Sequence, residues 1–209
     1  MTQERAARTR ATLIRTAAVE FDRHGYAGTS LSRISKAAGL STGALTFHFE
    51  RKEDLADAVI RRAGQLVGVA PGEPAPVRAG REPLGQIGDL VSDLMRSIHE
   101  YVEVRSSIRL ELDRPDAGVT WSAHWFATVR RLAQQARLSG ELPGRLSPEQ
   151  VEMLVAHFVY GTGYWIRGRQ ARVLEAPREE CGRLWASLWE GFLDSSRPLG
   201  APSVQVDIK

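Results

Sequence analysis

The sequence predicts an all-α protein, and three observations carry that reading. Apolar residues recur every three to four positions along most of the chain, no segment alternates with the period of a strand, and glycine or serine marks the ends of the periodic runs. The 209 residues are enough for a small head on a larger body with a buried core. At 43% hydrophobic and 25% charged, with a mean hydropathy of -0.26, the composition excludes a disordered, collagen-like or coiled-coil chain. No apolar run approaches the roughly 20 residues that span a membrane. Residues 1–15 are basic and lack the apolar block of a secretory signal, so the expected location is the cytoplasm, without membrane contact. Cys181 is the single cysteine and has no partner for an internal disulfide.

Each element follows from local pattern. Over residues 5–25, Ile14, Ala17, Ala18 and Phe21 fall on one helical face, and Gly25 ends the run as a C-terminal cap does. Thr29 and Ser30 are N-cap candidates for a short second helix with Leu31, Ile34 and Ala38 inward, stopped by Gly39. Ser41 caps a third, 42–49, and two short helices joined by a tight turn are the outline of a helix-turn-helix. A fourth helix is expected over 51–69 from Leu55, Val59, Ile60, Ala63 and Leu66. The following segment, 70–83, holds four prolines in fourteen residues and reads as a linker. Beyond it, Ile87, Leu90, Val91, Leu94 and Ile98 form one stripe, Ile108 and Leu112 a shorter one closed by 113–118, and Trp121, Trp125, Leu132 and Ala136 another. Pro148 opens a helix carrying Val151, Leu154, Val155 and Phe158. The last helix carries Leu184, Trp185, Leu188, Trp189, Phe192 and Leu193, a stripe two residues wide at each turn and so suited to two partners. Residues 197–209 read as a disordered tail.

Charge is unevenly placed. Residues 1–62 hold 11 Lys and Arg against 7 Asp and Glu, whereas 63–209 hold 17 against 18. A basic first third on a neutral body suits an end that meets a polyanion. On the third helix, Leu45 and Phe49 can anchor while Thr42, Gly43, Thr46 and Phe47 lie on the other side, a small polar surface with one aromatic that fits a major groove. The helix starts at Thr29, Ser30, Ser41 and Thr42 offer amides to phosphate, and Arg8, Arg10, Lys36 and Lys52 can add charge. Thr29 and Ser30 fit plain capping equally well, and His48 fits packing as well as phosphate contact.

These residues carry a resemblance. The stretch 9–60, with Gly25-Tyr26, Thr29-Ser30, Ala38-Gly39-Leu40-Ser41, Gly43-Ala44-Leu45 and Phe47-His48-Phe49 before Lys52-Glu53-Asp54-Leu55, resembles the DNA-binding region of TetR-family transcriptional regulators. Val104-Arg105-Ser106-Ser107-Ile108-Arg109-Leu110, Trp125, Ala136-Arg137 and Gly140-Glu141-Leu142 look like the γ-butyrolactone receptor branch of actinomycetes. The resemblance implies a dimeric repressor that binds an inverted-repeat operator in double-stranded DNA and is released by a small-molecule effector such as a butyrolactone, an antibiotic or an intermediate. It implies a helix-turn-helix domain over 1–50 and a ligand-binding and dimerisation domain over 51–196. Receptors of this branch usually carry lysine and tyrosine where this chain has Thr42 and Thr46, so a shorter reach to DNA and a different operator preference are implied. The Gly43-Ala44-Leu45-Thr46-Phe47-His48-Phe49 form is similar to pseudo-receptors that do not bind butyrolactones, and a ligand-independent DNA-binding protein is a further alternative.

In the body, the resemblance puts Trp125 on a ligand pocket, whereas its spacing from Trp121 fits core packing. His157 and Thr162 are polar candidates to orient a ligand, with a core histidine as the competing reading of the first. Val151, Leu154 and Phe158 with Leu184, Trp185, Leu188, Trp189 and Phe192 suggest a two-helix face that a two-fold axis doubles into a four-helix dimer interface. The sequence has no nucleophile elbow, phosphate loop, metal-ligand spacing or dinucleotide glycine pattern. An enzyme, a cofactor and a metal site are therefore not expected.

Overall fold

The computed structural model describes residues 2–68, 80–170 and 180–196. Among these residues the chain is built from nine helices: α1 (Thr2–His24), α2 (Leu31–Ala37), α3 (Thr42–His48), α4 (Lys52–Leu66), α5 (Pro83–Glu100), α6 (Val102–Asp113), α7 (Ser122–Leu138), α8 (Pro148–Gln170) and α9 (Glu180–Ser196). The expected tail lies outside the described residues, as does the proline-rich segment up to residue 79. Among the described residues no helix is long and apolar enough to cross a membrane.

The head is a three-helix unit closed by local signals. Ser30 Oγ accepts from the Arg33 N–H at 3.1 Å and Ser41 Oγ from the Ala44 N–H at 3.1 Å, satisfying amides that the first turns of α2 and α3 leave unbonded. Leu13, Ala17, Phe21, Ile34 and Leu45 meet in its core, all fully buried. Helix α4 begins with the Arg51 N–H donating to Asp54 Oδ2 at 3.0 Å, then packs on α1 and α6.

Helix α6 holds the head to the body by lying against both α1 and α4. Gly25, at φ +72°, permits that approach, since a Cβ there would come within 2.8 Å of Arg109 Nη2 and Asp113 Oδ2. Leu112, expected on the buried stripe, is instead exposed. The last turn of α6 directs Leu110 inward, fully buried, and leaves Leu112 outside.

Around α5 stand α7, α8 and α9. The Leu84 N–H donates to the carboxylate of Glu141 at 3.1 Å, so a side chain from the loop after α7 caps α5. Helix α9 seats two indoles on α5: Trp185 Nε1 donates to the Gly88 carbonyl at 3.3 Å and Trp189 Nε1 to the Leu84 carbonyl at 3.1 Å. The rings stack on each other with centroids 4.9 Å apart. Gly88 makes this possible, because a Cβ would lie 2.5 Å from the Trp189 ring.

Candidate nucleic-acid interface and effector body

The outward side of α3 is small, polar and open. Thr42, Gly43 and Thr46 are exposed and Phe47 is 83% exposed, while Leu45 and Phe49 are buried beneath them. Leaving an aromatic ring in water forgoes roughly 1.5–3 kcal/mol of burial, so Phe47 stands out on a helix whose other large apolar groups are inside. His48 is half-buried, with its ring edge-on to Phe47 at 5.3 Å. Thr42 Oγ1 shares a 3.3 Å hydrogen bond with Ser35 Oγ, which ties α3 to α2, and the Thr46 hydroxyl donates to the Gly43 carbonyl at 3.2 Å. Both threonine oxygens keep acceptor capacity toward solvent.

The charged residues divide. Arg8, Arg10 and Lys36 are exposed; Arg8 pairs with Glu4 at 2.5 Å, and Arg10 lies 5.0 Å over the Phe49 ring. Ser30 is exposed as the N-cap of α2. Two side chains are engaged in contacts within the chain instead. Thr29 is buried, and its hydroxyl donates to the Gly25 carbonyl at 2.8 Å, so it braces the loop after α1 and does not face a phosphate. Lys52 donates to the carbonyls of Tyr26 at 2.9 Å and Thr29 at 3.1 Å, with its ammonium 4.0 Å over the Tyr26 ring. A cation with two carbonyl acceptors and a π face holds the turn to α4 and has little left for DNA. Tyr26 in turn donates to Glu53; burial and that carboxylate push the phenol up to about 12, and the same bond holds Glu53 below the usual range.

Sequence reasoning missed the seam that α6 makes with α1 and α4. The Arg105 Nε lies 3.3 Å from Asp22 Oδ2, Arg109 Nη1 donates to the Asp22 carbonyl at 2.7 Å, Arg114 Nη2 donates to Asp57 Oδ1 at 2.9 Å, and the Tyr26 N–H donates to Asp113 Oδ2 at 2.7 Å. The one sequence signal was the four-residue spacing of Arg105 and Arg109 on α6; their partners lie more than 80 residues away.

In the body the three ligand candidates separate. Trp125 is fully buried, stacked on Phe126 at 4.2 Å and edge-on to Trp121 at 5.8 Å. Both indole N–H groups, of Trp121 and Trp125, are buried without a hydrogen-bond partner. Thr162 and His157 line a different place, a groove of about 390 Å³ between α8 and α9 that also includes Leu154, Phe158 and Leu184. There Thr162 is buried with its hydroxyl 3.0 Å from Met95 Sδ, and His157 is exposed, its Nδ1 2.7 Å from the Met153 carbonyl. The grouping of Trp125 with His157 and Thr162 in one pocket therefore gives way, because helical phase turns Trp125 inward and His157 outward.

The α8–α9 stripe also splits. Val151, Trp185 and Trp189 are buried within the chain, the two tryptophans against α5, and cannot themselves be contact residues for a second copy. Leu184 and Leu188 are about half exposed, at 53% and 51%; Leu154 is exposed and Phe158 half-buried. The Phe192 side chain lies outside the described residues. The stripe does face two ways, one of them already occupied by α5.

This geometry defines a helix-turn-helix DNA-binding regulator, with a recognition helix presented on a braced three-helix head. A family model described as bacterial regulatory proteins, tetR family, matches residues 13–59. The regulator TtgR of Pseudomonas putida is 30% identical over 173 residues, 78% of this chain and 80% of TtgR. The chain thus belongs to the TetR family of transcriptional regulators, and it is not an enzyme. Its relatives include the A-factor receptor protein of Streptomyces griseus, 40% identical over 159 residues that make up 75% of this chain and 54% of that one. Among solved structures, a γ-butyrolactone receptor (ArpA-like protein) superimposes with a TM-score of 0.62 at 27% identity, covering 89% of this chain and 99% of the other. The likeness to that receptor branch runs through both the head and the body.

Proposed function

We propose that the protein is a cytoplasmic homodimeric repressor that binds an inverted-repeat operator and releases it when a small molecule fills the body. The observation that carries this reading is the exposed α3 surface of Thr42, Gly43, Thr46 and Phe47 above the buried anchors Leu45 and Phe49. Arg8, Arg10, Ser30, Lys36, Ser41 and His48 are the supporting contacts, on a head of residues 1–50; the body is 51–196. Phe47 supplies an apolar group for a thymine methyl, and the threonines supply short donors and acceptors for base edges or phosphate. Leu154, Leu184 and Leu188 form the exposed part of the dimer face. Trp125 lines the effector site, where the two unpartnered indole N–H groups would meet acceptors on a ligand. A ligand shifts operator affinity only if it binds the released setting of the heads better than the bound one, and two heads must reach grooves about 34 Å apart or a multiple of that.

Mobility shift on the upstream intergenic fragment, across a salt series and against random DNA, tests the operator reading; equal affinity for both DNAs overturns it. Titration of butyrolactones and polyketide antibiotics, followed by tryptophan fluorescence and operator release in wild type and Trp125→Ala, tests the effector reading. Release by antibiotics alone favours a pseudo-receptor. Silence toward every ligand favours a ligand-independent DNA-binding protein.

A further inference from the structure

The seam between head and body encloses a cleft of about 760 Å³, separate from the α8–α9 groove. Its walls are α1, the junction of α5 with α6, and α8, so it touches the head on one side and the body on the other. Five arginines line it against three carboxylates, leaving it positive.

Most of that charge is accounted for. Arg105 lies against Asp22 and donates to the carbonyls of Ile98 and His99 at 3.0 and 3.1 Å. Arg109 donates to the Asp22 carbonyl and lies 3.7 Å from Asp113. Arg15 and Arg23 are exposed and held in water. Arg167 differs: it enters the cleft from α8, its Nη1 is buried, and that atom has no hydrogen-bond partner. Burial and the neighbouring Arg109 and Arg105 all work against its charge, and Asp22 and Asp113 offset only part of this. A guanidinium cannot shed its proton at neutral pH, so Nη1 needs an acceptor from solvent or from a ligand, and an anion satisfies both the hydrogen bond and the charge.

We propose that this cleft binds a small organic oxyanion, a carboxylate or phosphate group, with Arg167 as its principal contact. The planar fork of a guanidinium can donate to two oxygens of a carboxylate or phosphate at once, the volume lies in the range of small-molecule sites, and Val19 and Val102 supply apolar wall for a carbon skeleton. Because α1 and α8 form opposite walls, an occupant bridges head and body, a second input distinct from a ligand at Trp125. The inference does not depend on the operator reading, since its test needs no DNA.

The experiment uses the full chain and inorganic phosphate. Melting temperature is followed as phosphate replaces chloride at constant ionic strength. Wild type should show a saturable rise, roughly 3–6 °C at tenfold excess over the dissociation constant. Arg167→Gln should lose the rise and, in phosphate-free buffer, melt above wild type, because it removes a half-buried charge that Asp22 and Asp113 offset only in part. Arg167→Lys should keep a weaker response, and Arg61→Gln, an exposed arginine on α4, should respond as wild type does. Two results overturn the proposal. One is a flat phosphate response in wild type. The other is an equal rise in Arg167→Gln. Melting of Arg167→Gln below wild type in phosphate-free buffer, together with a flat phosphate response in wild type, would show instead that Arg167 is satisfied within the chain, by Asp22.

Discussion

Helices α3 and α9 both leave large apolar side chains in water, but in different settings. On α3 one ring, Phe47, stands among small polar residues, and the buried side of the helix is complete with Leu45 and Phe49. On α9 the exposed Leu184 and Leu188 sit one position before Trp185 and Trp189, which are buried against α5, so the apolar surface continues past the edge of the chain's own core. An isolated aromatic on a polar face suits a groove with a few methyl groups. A continuous apolar stripe suits a second protein surface.

The largest test of that contrast is in the buried half of α9. Trp185→Ala should cost ~3–5 kcal/mol of folding stability by removing a buried ring and a hydrogen bond, read by urea denaturation; a loss below ~1 kcal/mol would mean that α9 is not seated on α5. Leu184→Glu with Leu188→Glu should leave the folded chain nearly as stable but shift sedimentation from dimer to monomer. Operator affinity should drop more than about tenfold with it, since one head alone loses the second half-site. An intact dimer would remove α9 from the interface.

A smaller effect separates Lys36 on α2 from Lys52 at the start of α4. Lys52→Gln should destabilise by ~1–3 kcal/mol, because two carbonyls lose a charged donor, with little change in the salt dependence of DNA binding. Lys36→Gln should leave stability alone and lower the salt slope by about one. A salt slope that falls with Lys52→Gln as well would return that residue to the DNA contacts.

The smallest effect concerns Glu111, whose carboxylate accepts from the Ser122 N–H at 2.8 Å and from the Tyr160 hydroxyl at 3.0 Å. Burial raises its pKa above the usual glutamate value, outweighing those bonds. The folded state therefore holds this proton more tightly than the unfolded chain, and the associated stability is present at low pH and lost as pH rises through the folded pKa. Wild type should lose melting temperature relative to Glu111→Gln as pH climbs above about 4.3; a constant difference across pH would contradict the direction of the shift.

Much of the head was legible in the chain because its determinants are local. Ser30, Ser41, Gly25 and Gly39 set boundaries through their own hydrogen bonds or positive φ, and the i, i+4 pair Leu45 and Phe49 fixes which side of α3 faces out. Thr29 and Lys52 were misread for the opposite reason: their partners are backbone carbonyls brought near by the turn after α1, which no residue pattern marks. The same limit applies to Trp125, His157 and Thr162, whose helices were evident but whose rotational phase against neighbouring helices was not.

By itself the sequence determined the all-α class, the helix-turn-helix and the family, since these rest on periodicity, caps and a dense run of matching residues. Tertiary structure alone decided which half of the α9 stripe is core, which lysine is free, and that Asp22, Arg105, Arg109 and Arg167 gather at one seam. Helical period tells which residues share a face; only packing tells what that face meets.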